Sequence, residues 1–230
     1  MKATLTPLLH ALYRIDVQGR KNLPQRGPVI LAANHRAFLD SVFLPLVVPR
    51  RVTFVAKAEY FDDPKSAWFF RSIGQIPIRR EGGSASEGAL LAAREVLARG
   101  EVFAIYPEGT RTRDGFMHRG HTGVARLALE SGAPIVPVGL VGTDDIQPVG
   151  RRMPRLLKPV SVRFGSPIDA RSRVHDAVDR MALRAIADEV MFELACLTGY
   201  EYVDAYATKQ PEELAPVSAA PVDQVIDLAS

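Results

Sequence analysis

From Pro28 to Gly199 the chain alternates short β-branched, apolar runs with longer amphipathic stretches. No other feature constrains its fold as tightly. Val29–Ala33, Val52–Val55, Gln75–Ile78, Val102–Tyr106, Ile135–Leu140 and Val160–Phe164 read as strands. Helices are expected near Phe38–Val47, Pro64–Arg71, Ser86–Ala98 and Thr122–Glu130, with a long one over Val174–Leu197. Gly100, Gly132 and Gly199 follow three of these, where a left-handed residue commonly ends a helix. Strands joined through helices run parallel, because the crossover returns the chain to the same end of the sheet. The expected class is α/β: a layered sandwich with a largely parallel mixed central sheet flanked by helices.

Segments on either side have a different character. Met1–Ile15 reads as a helix with Leu5, Leu8, Leu9 and Leu12 on one face. With Lys2, Arg14, Arg20 and Lys21 beside it, that face suits either the core or a membrane interface. Residues 1–20 are therefore read as an amphipathic helix and a candidate membrane-surface contact, and 21–200 as the main domain. Residues 201–230 hold Pro211, Pro216 and Pro221, six acids and one base, and read as an acidic irregular tail. That tail carries a net −5 against +3 for the whole chain, so the first 200 residues carry +8.

A basic body points to an anionic partner: a phospholipid surface, a phosphorylated substrate or nucleic acid. No nucleic-acid-binding motif accompanies it, so nucleic acid is not expected. The one cysteine, Cys196, allows no intrachain disulfide and favours a reducing, cytoplasmic setting. No stretch is apolar for the roughly 20 residues a membrane-spanning helix needs. No secretory signal is recognisable. Membrane contact is thus expected to be peripheral, at the cytoplasmic face.

Chemistry-bearing residues collect where strands end. Asn34-His35-Arg36-Ala37-Phe38-Leu39-Asp40 follows the first of the strands and leads into a helix. Ligands of parallel sheets bind at such strand ends. On one regular helix His35 and Asp40 would lie about 140° apart. They can meet only if His35 precedes the helix and the chain turns between them. Asp40 could then fix one imidazole nitrogen and leave the other as a general base.

Tyr106-Pro107-Glu108-Gly109-Thr110-Arg111 also follows a strand. Gly109 permits close backbone approach, and Thr110, Arg111 and Arg113 offer donors suited to phosphate. Glu108 is unusual in an anion site and is expected to orient an arginine or bind a substrate hydroxyl. Gly74-Gln75-Ile76-Pro77-Ile78-Arg79-Arg80 adds cations near the same sheet edge, and Lys57, after another strand, is a further candidate phosphate contact. Ile135-Val136-Pro137-Val138-Gly139 has no chemical groups and reads as a core strand. His118 and His121 are three apart with no third ligand nearby, so no metal site is expected.

Each motif alone is compatible with a surface turn. Together, in this order, they resemble the lysophosphatidic acid acyltransferase family, the 1-acylglycerol-3-phosphate O-acyltransferases among the glycerolipid acyltransferases. That family shows Asn-His-x-x-x-x-Asp, Gly-x-Ile-x-Ile-x-Arg, Phe-Pro-Glu-Gly-Thr-Arg and a Val-Pro-Val strand. The resemblance covers roughly residues 20–170. It departs at Tyr106, where the family has phenylalanine, at Arg79, where it often has aspartate, and at His121, where a lysine is usual.

The resemblance implies the glycerolipid acyltransferase fold and a direct acyl transfer. His35 would deprotonate the hydroxyl of a lysophospholipid while Asp40 orients the ring. The acyl chain would come from acyl-CoA or acyl carrier protein as co-substrate, with no cofactor. Arg80, Glu108, Gly109 and Arg111 would hold the acceptor, with Thr110 and Lys57, read from their positions after strands, as further substrate-binding candidates. No Gly-x-Ser-x-Gly elbow is present, which agrees with a route lacking an acyl-enzyme. The partners implied are a phospholipid membrane surface, the two substrates and, as one donor, acyl carrier protein.

Overall fold

A computed structural model describes residues 2–78, 85–148, 153–174 and 179–208. Helix α1 (Lys2–Leu12) leads into strand β1 (Arg14–Gln18), β2 (Val29–Ala33), α2 (Asp40–Val47) and β3 (Val52–Lys57). Next come α3 (Pro64–Ser72), β4 (Gln75–Ile78), α4 (Ala85–Ala98), β5 (Val102–Ile105), β6 (Met117–His118) and α5 (Gly123–Ser131). The described part ends with β7 (Ile135–Val141), α6 (Thr143–Ile146), β8 (Pro159–Phe164), α7 (Arg180–Thr198) and β9 (Tyr202–Val203).

Seven strands form the main sheet in the order β1-β8-β7-β2-β5-β3-β4. All neighbouring pairs are parallel except β7 with β8. The expected α/β class, with a mostly parallel sheet between helices, is what the chain adopts. Every residue of β2 is buried, as a strand covered on both faces requires. On one face Phe43, Leu44 and Val47 of α2, with Leu9 and Leu12 of α1, pack on Leu31, Phe54, Ala104 and Val138. On the other, α4, α5 and α7 pack Val96, Leu127 and Met191 around Ile30, Phe103 and Ile135. Gly139 lets α7 lie directly on β7: a Cβ there would come 2.8 Å from that of Leu197.

Three expectations need correction. The first helix stops at Leu12, and Arg14–Gln18 form an edge strand paired in parallel with Pro159–Arg163, so residues 1–20 are not one helix. Pairing with β8 satisfies backbone groups that a continued helix would have bonded internally. The last helix begins at Arg180, because the Asp179 carboxylate caps it by accepting the Ala182 N–H at 2.7 Å. The segment after α7 is not an irregular tail from residue 201: β9 pairs with β6, and that structure extends to residue 208. The rest of the expected tail lies outside the described residues. Among the described residues no helix is long and apolar enough to cross a membrane.

Candidate active site

Strands β2, β5 and β7 point the same way, so their carboxyl ends share one edge of the sheet. Three loops meet there: residues 34–39 after β2, 106–116 after β5, and Gly142 before α6.

The first loop leaves β2 without letting go of its neighbour. The buried Asn34 side-chain amide donates to the Leu140 carbonyl at 2.9 Å, and its oxygen accepts the Leu140 N–H at 2.7 Å. The chain then turns, and Asp40 becomes the first residue of α2. His35 precedes the helix, as the five-residue spacing demands. Asp40, fully buried, points its Oδ2 back into the turn. That oxygen accepts the backbone N–H of Arg36 at 2.7 Å and of Ala37 at 2.8 Å, and meets His35 Nδ1 at 3.0 Å. The Nδ1–H tautomer satisfies this contact and leaves Nε2 with a lone pair to take a proton.

The imidazole also has a fixed face. It stacks on the Tyr106 ring, centroids 3.8 Å apart and planes 8° from parallel. The Tyr106 hydroxyl meets Ser41 Oγ, on the first turn of α2, at 2.8 Å. Burial, and then the Asp40 carboxylate, push the Tyr106 phenol well above its ordinary value, so it stays neutral.

The second loop turns tightly: the Gly109 N–H donates to the Tyr106 carbonyl at 3.0 Å, and Gly109 adopts φ +74°. The loop closes on itself where the His121 N–H donates to the Pro107 carbonyl at 2.8 Å. It is also tied to the first loop, since the Thr112 N–H donates to the His35 carbonyl at 2.9 Å.

Glu108 does not take the place expected of it. Only 2% exposed, it accepts the His35 N–H on Oε1 at 3.3 Å and the His118 N–H on Oε2 at 3.0 Å. Both oxygens are occupied by backbone donors, so Glu108 joins loops rather than meeting an acceptor hydroxyl. Thr110 is likewise buried, leaving Gly109 and Arg111 as the more accessible members of that motif. Lys57 ends β3, but its side chain lies outside the described residues, as do Arg79 and Arg80 altogether. His118 does not pair with His121 as a ligand couple. Its ring meets Asp114 Oδ2 at 2.7 Å and the Ala205 carbonyl at 3.1 Å.

Burial raises the Glu108 carboxyl to about 7, against the opposing pull of the His118 and His35 N–H groups. A raised folded-state value means that the folded chain holds this proton more tightly than the unfolded chain. The stabilisation is complete below about 4.5 and disappears as pH rises through about 7. Wild-type protein should thus lose about 3 kcal/mol between pH 4.5 and 8 relative to Glu108→Gln, in which this slope vanishes. Denaturant unfolding of both proteins at pH 5 and pH 8 checks the difference; parallel pH trends would contradict it.

Several contributors were missed by sequence reasoning. Arg36, beside the candidate base, is nine-tenths buried, with Nε on Asp144 Oδ2 at 2.8 Å and its guanidinium 4.3 Å from the Tyr200 ring centroid. Adjacency to His35 was a usable signal for Arg36 and Asn34. Tyr200 and Asp144 had none, being brought in by chain reversal alone.

Residues 14–141 match the model of a family described as Acyltransferase. The chloroplastic 1-acyl-sn-glycerol-3-phosphate acyltransferase BAT2 of Brassica napus is 31% identical over 143 residues, covering 62% of this chain and 41% of that protein. The 1-acyl-sn-glycerol-3-phosphate acyltransferase alpha of Mus musculus is 29% identical over 182 residues, covering 74% and 64%. The chain spans about two fifths of the length of the chloroplastic relatives it matches. Among solved structures, the 1-acyl-sn-glycerophosphate acyltransferase PlsC of Thermotoga maritima superposes with a TM-score of 0.65 at 27% identity, covering 83% of this chain and 73% of that one.

Proposed function

Because the chain belongs to the acyltransferase family, we propose that it transfers a fatty acyl group from a thioester to the free hydroxyl of 1-acylglycerol-3-phosphate, giving phosphatidic acid. The observation that carries this reading is the His35–Asp40 contact at 3.0 Å, set at the sheet edge beside the arginine-bearing loop after β5.

The chemistry follows from that geometry. His35 Nε2 takes the hydroxyl proton as the acceptor oxygen attacks the thioester carbonyl carbon. A C–O bond forms and the carbonyl becomes an oxyanion. As this intermediate collapses, the C–S bond breaks, and the imidazolium returns its proton to the leaving thiolate. Asp40 holds the ring and balances the transient imidazolium charge. No acyl-enzyme is required. Cys196, the one thiol, lies exposed on α7 and not on the loops at the sheet edge.

Arg111 and the backbone at Gly109 would receive the acceptor's phosphate, with Lys57, the last residue of β3, and Arg80 of the Gly74–Arg80 motif as further cations. Guanidinium forks suit a phosphate monoester. Acyl-CoA or acyl carrier protein serves as donor. A peripheral seat on a phospholipid surface, at the cytoplasmic face, suits the lipid substrates, and Leu8 of α1, exposed while Leu9 and Leu12 pack on the core, can add to that contact. The activities for which the relatives are named support the acceptor assignment.

Purified protein should be offered acyl-CoA and acyl carrier protein donors with a panel of lysolipids. Preferred turnover of 1-acylglycerol-3-phosphate, with release of free thiol, is the expected result. Preferred turnover of another lysolipid would reassign the headgroup. Lipid binding without transfer, unaltered by His35→Ala, would show a binding protein instead.

A further inference from the structure

We infer that residues 200–206 form a strap holding the two loops of the site in register, with Tyr200 a positioning residue that acts on His35 through Arg36. The inference rests on the acyl-transfer reading of that site. The strap lies outside residues 14–141, the segment shared with the family model.

One end of the strap grips the first loop. The Arg36 backbone N–H donates to the Asp40 oxygen that His35 Nδ1 also meets, so the backbone at residue 36 sets the geometry of the pair. The Arg36 side chain fixes that backbone. Its edge is held by Asp144 and its face by the Tyr200 ring. Arg36 Nη1 is buried and has no hydrogen-bond partner among the described residues. Enclosing such a donor costs stability, which suits a group kept for position rather than for folding. Tyr200 is itself partly buried and receives the Gly142 N–H. Its phenol, pushed up to about 12 first by burial and then by Asp144, stays neutral beneath the cation.

The other end holds the second loop. The Met117 N–H donates to the Glu201 carbonyl at 2.8 Å, and the Arg119 N–H to the Ala205 carbonyl at 3.0 Å. Tyr206 stacks on His121, centroids 4.7 Å apart, and that imidazole would lie 3.0 Å from a Cβ on Gly109. Between these contacts the His118 N–H reaches Glu108, whose other oxygen holds His35. The strap thus bears on His35 from two directions.

The test compares full-length Tyr200→Leu and Tyr200→Phe with wild type. Turnover of 1-acylglycerol-3-phosphate and acyl-CoA is measured, and the His35 tautomer is read by nitrogen NMR. Tyr200→Leu should lower kcat about 10- to 100-fold while KM for both substrates stays within about threefold. It should also weaken the Nδ1–H signature of His35. Tyr200→Phe, which keeps the ring under the guanidinium, should restore most of the rate and the signature.

An unchanged rate and signature in Tyr200→Leu overturns the inference. So does a loss confined to KM, or a Tyr200→Phe protein as impaired as Tyr200→Leu. Should Tyr200→Leu not fold, Arg36→Lys takes its place with the same expectations, because an ammonium cannot fill the grip of ring and carboxylate together. A wild-type protein inactive on every lysolipid defeats the functional reading separately. The tautomer comparison then decides the strap alone.

Discussion

Replacing His35 with alanine should lower acyl transfer by about 10²–10⁴-fold, the range that a positioned general base contributes. The fold should survive. The imidazole lies beyond the end of β2, not among the interior strand residues, and Asp40 retains its bonds to the Arg36 and Ala37 N–H groups without it. The comparison to make is kcat alongside the thermal unfolding midpoint, with substrate binding followed separately. A variant that folds, binds and still turns over near the wild-type rate would remove the base from the mechanism. A variant that fails to fold would show that the stack on Tyr106 matters to stability as well as to orientation.

Asp40 carries a double burden, and its substitution should therefore show in two measurements at once. In Asp40→Ala the N–H groups of Arg36 and Ala37 lose their acceptor in a turn that water scarcely reaches. Each buried donor left unmade costs about 1–3 kcal/mol. Turnover should fall by about 10³-fold as well, since the imidazole loses both its orientation and its counter-charge. Asp40→Asn separates the two effects. Its amide oxygen can still accept the turn's N–H groups, so unfolding free energy should recover most of the loss. Activity should stay low, because the charge is gone. Activity that recovers in Asp40→Asn together with stability would mean that Asp40 supports the turn alone.

These effects trace back to how differently the parts of the molecule register in sequence. The sheet was readable because β2, β5 and β7 are short apolar runs bounded by polar turns. The His35–Asp40 pair was readable because five residues are too many for one helix face and just enough for a turn into a helix start. Glu108 was misplaced for a definite reason. Its two partners are backbone N–H groups 73 and 10 residues away, and backbone donors have no identity in a sequence. β1 reads in sequence as the end of a helix because Leu9, Leu12 and Ile15 continue a helical spacing. Only β8, 145 residues further on, makes it a strand. The two-residue strand β9 was hidden by its brevity and by the acidic composition around it.

The paired amide at Asn34 has a consequence for the lifetime of the molecule. Asparagine hydrolyses slowly with age, and the product, aspartate, cannot donate. Opposite the Leu140 carbonyl it would set acceptor against acceptor in a space with no solvent to relieve them. A copy damaged there would lose the tie between the loop after β2 and strand β7 while most of its sheet remained intact. Such a chain would persist beside intact copies, marked by a single atom exchanged at the root of the loop.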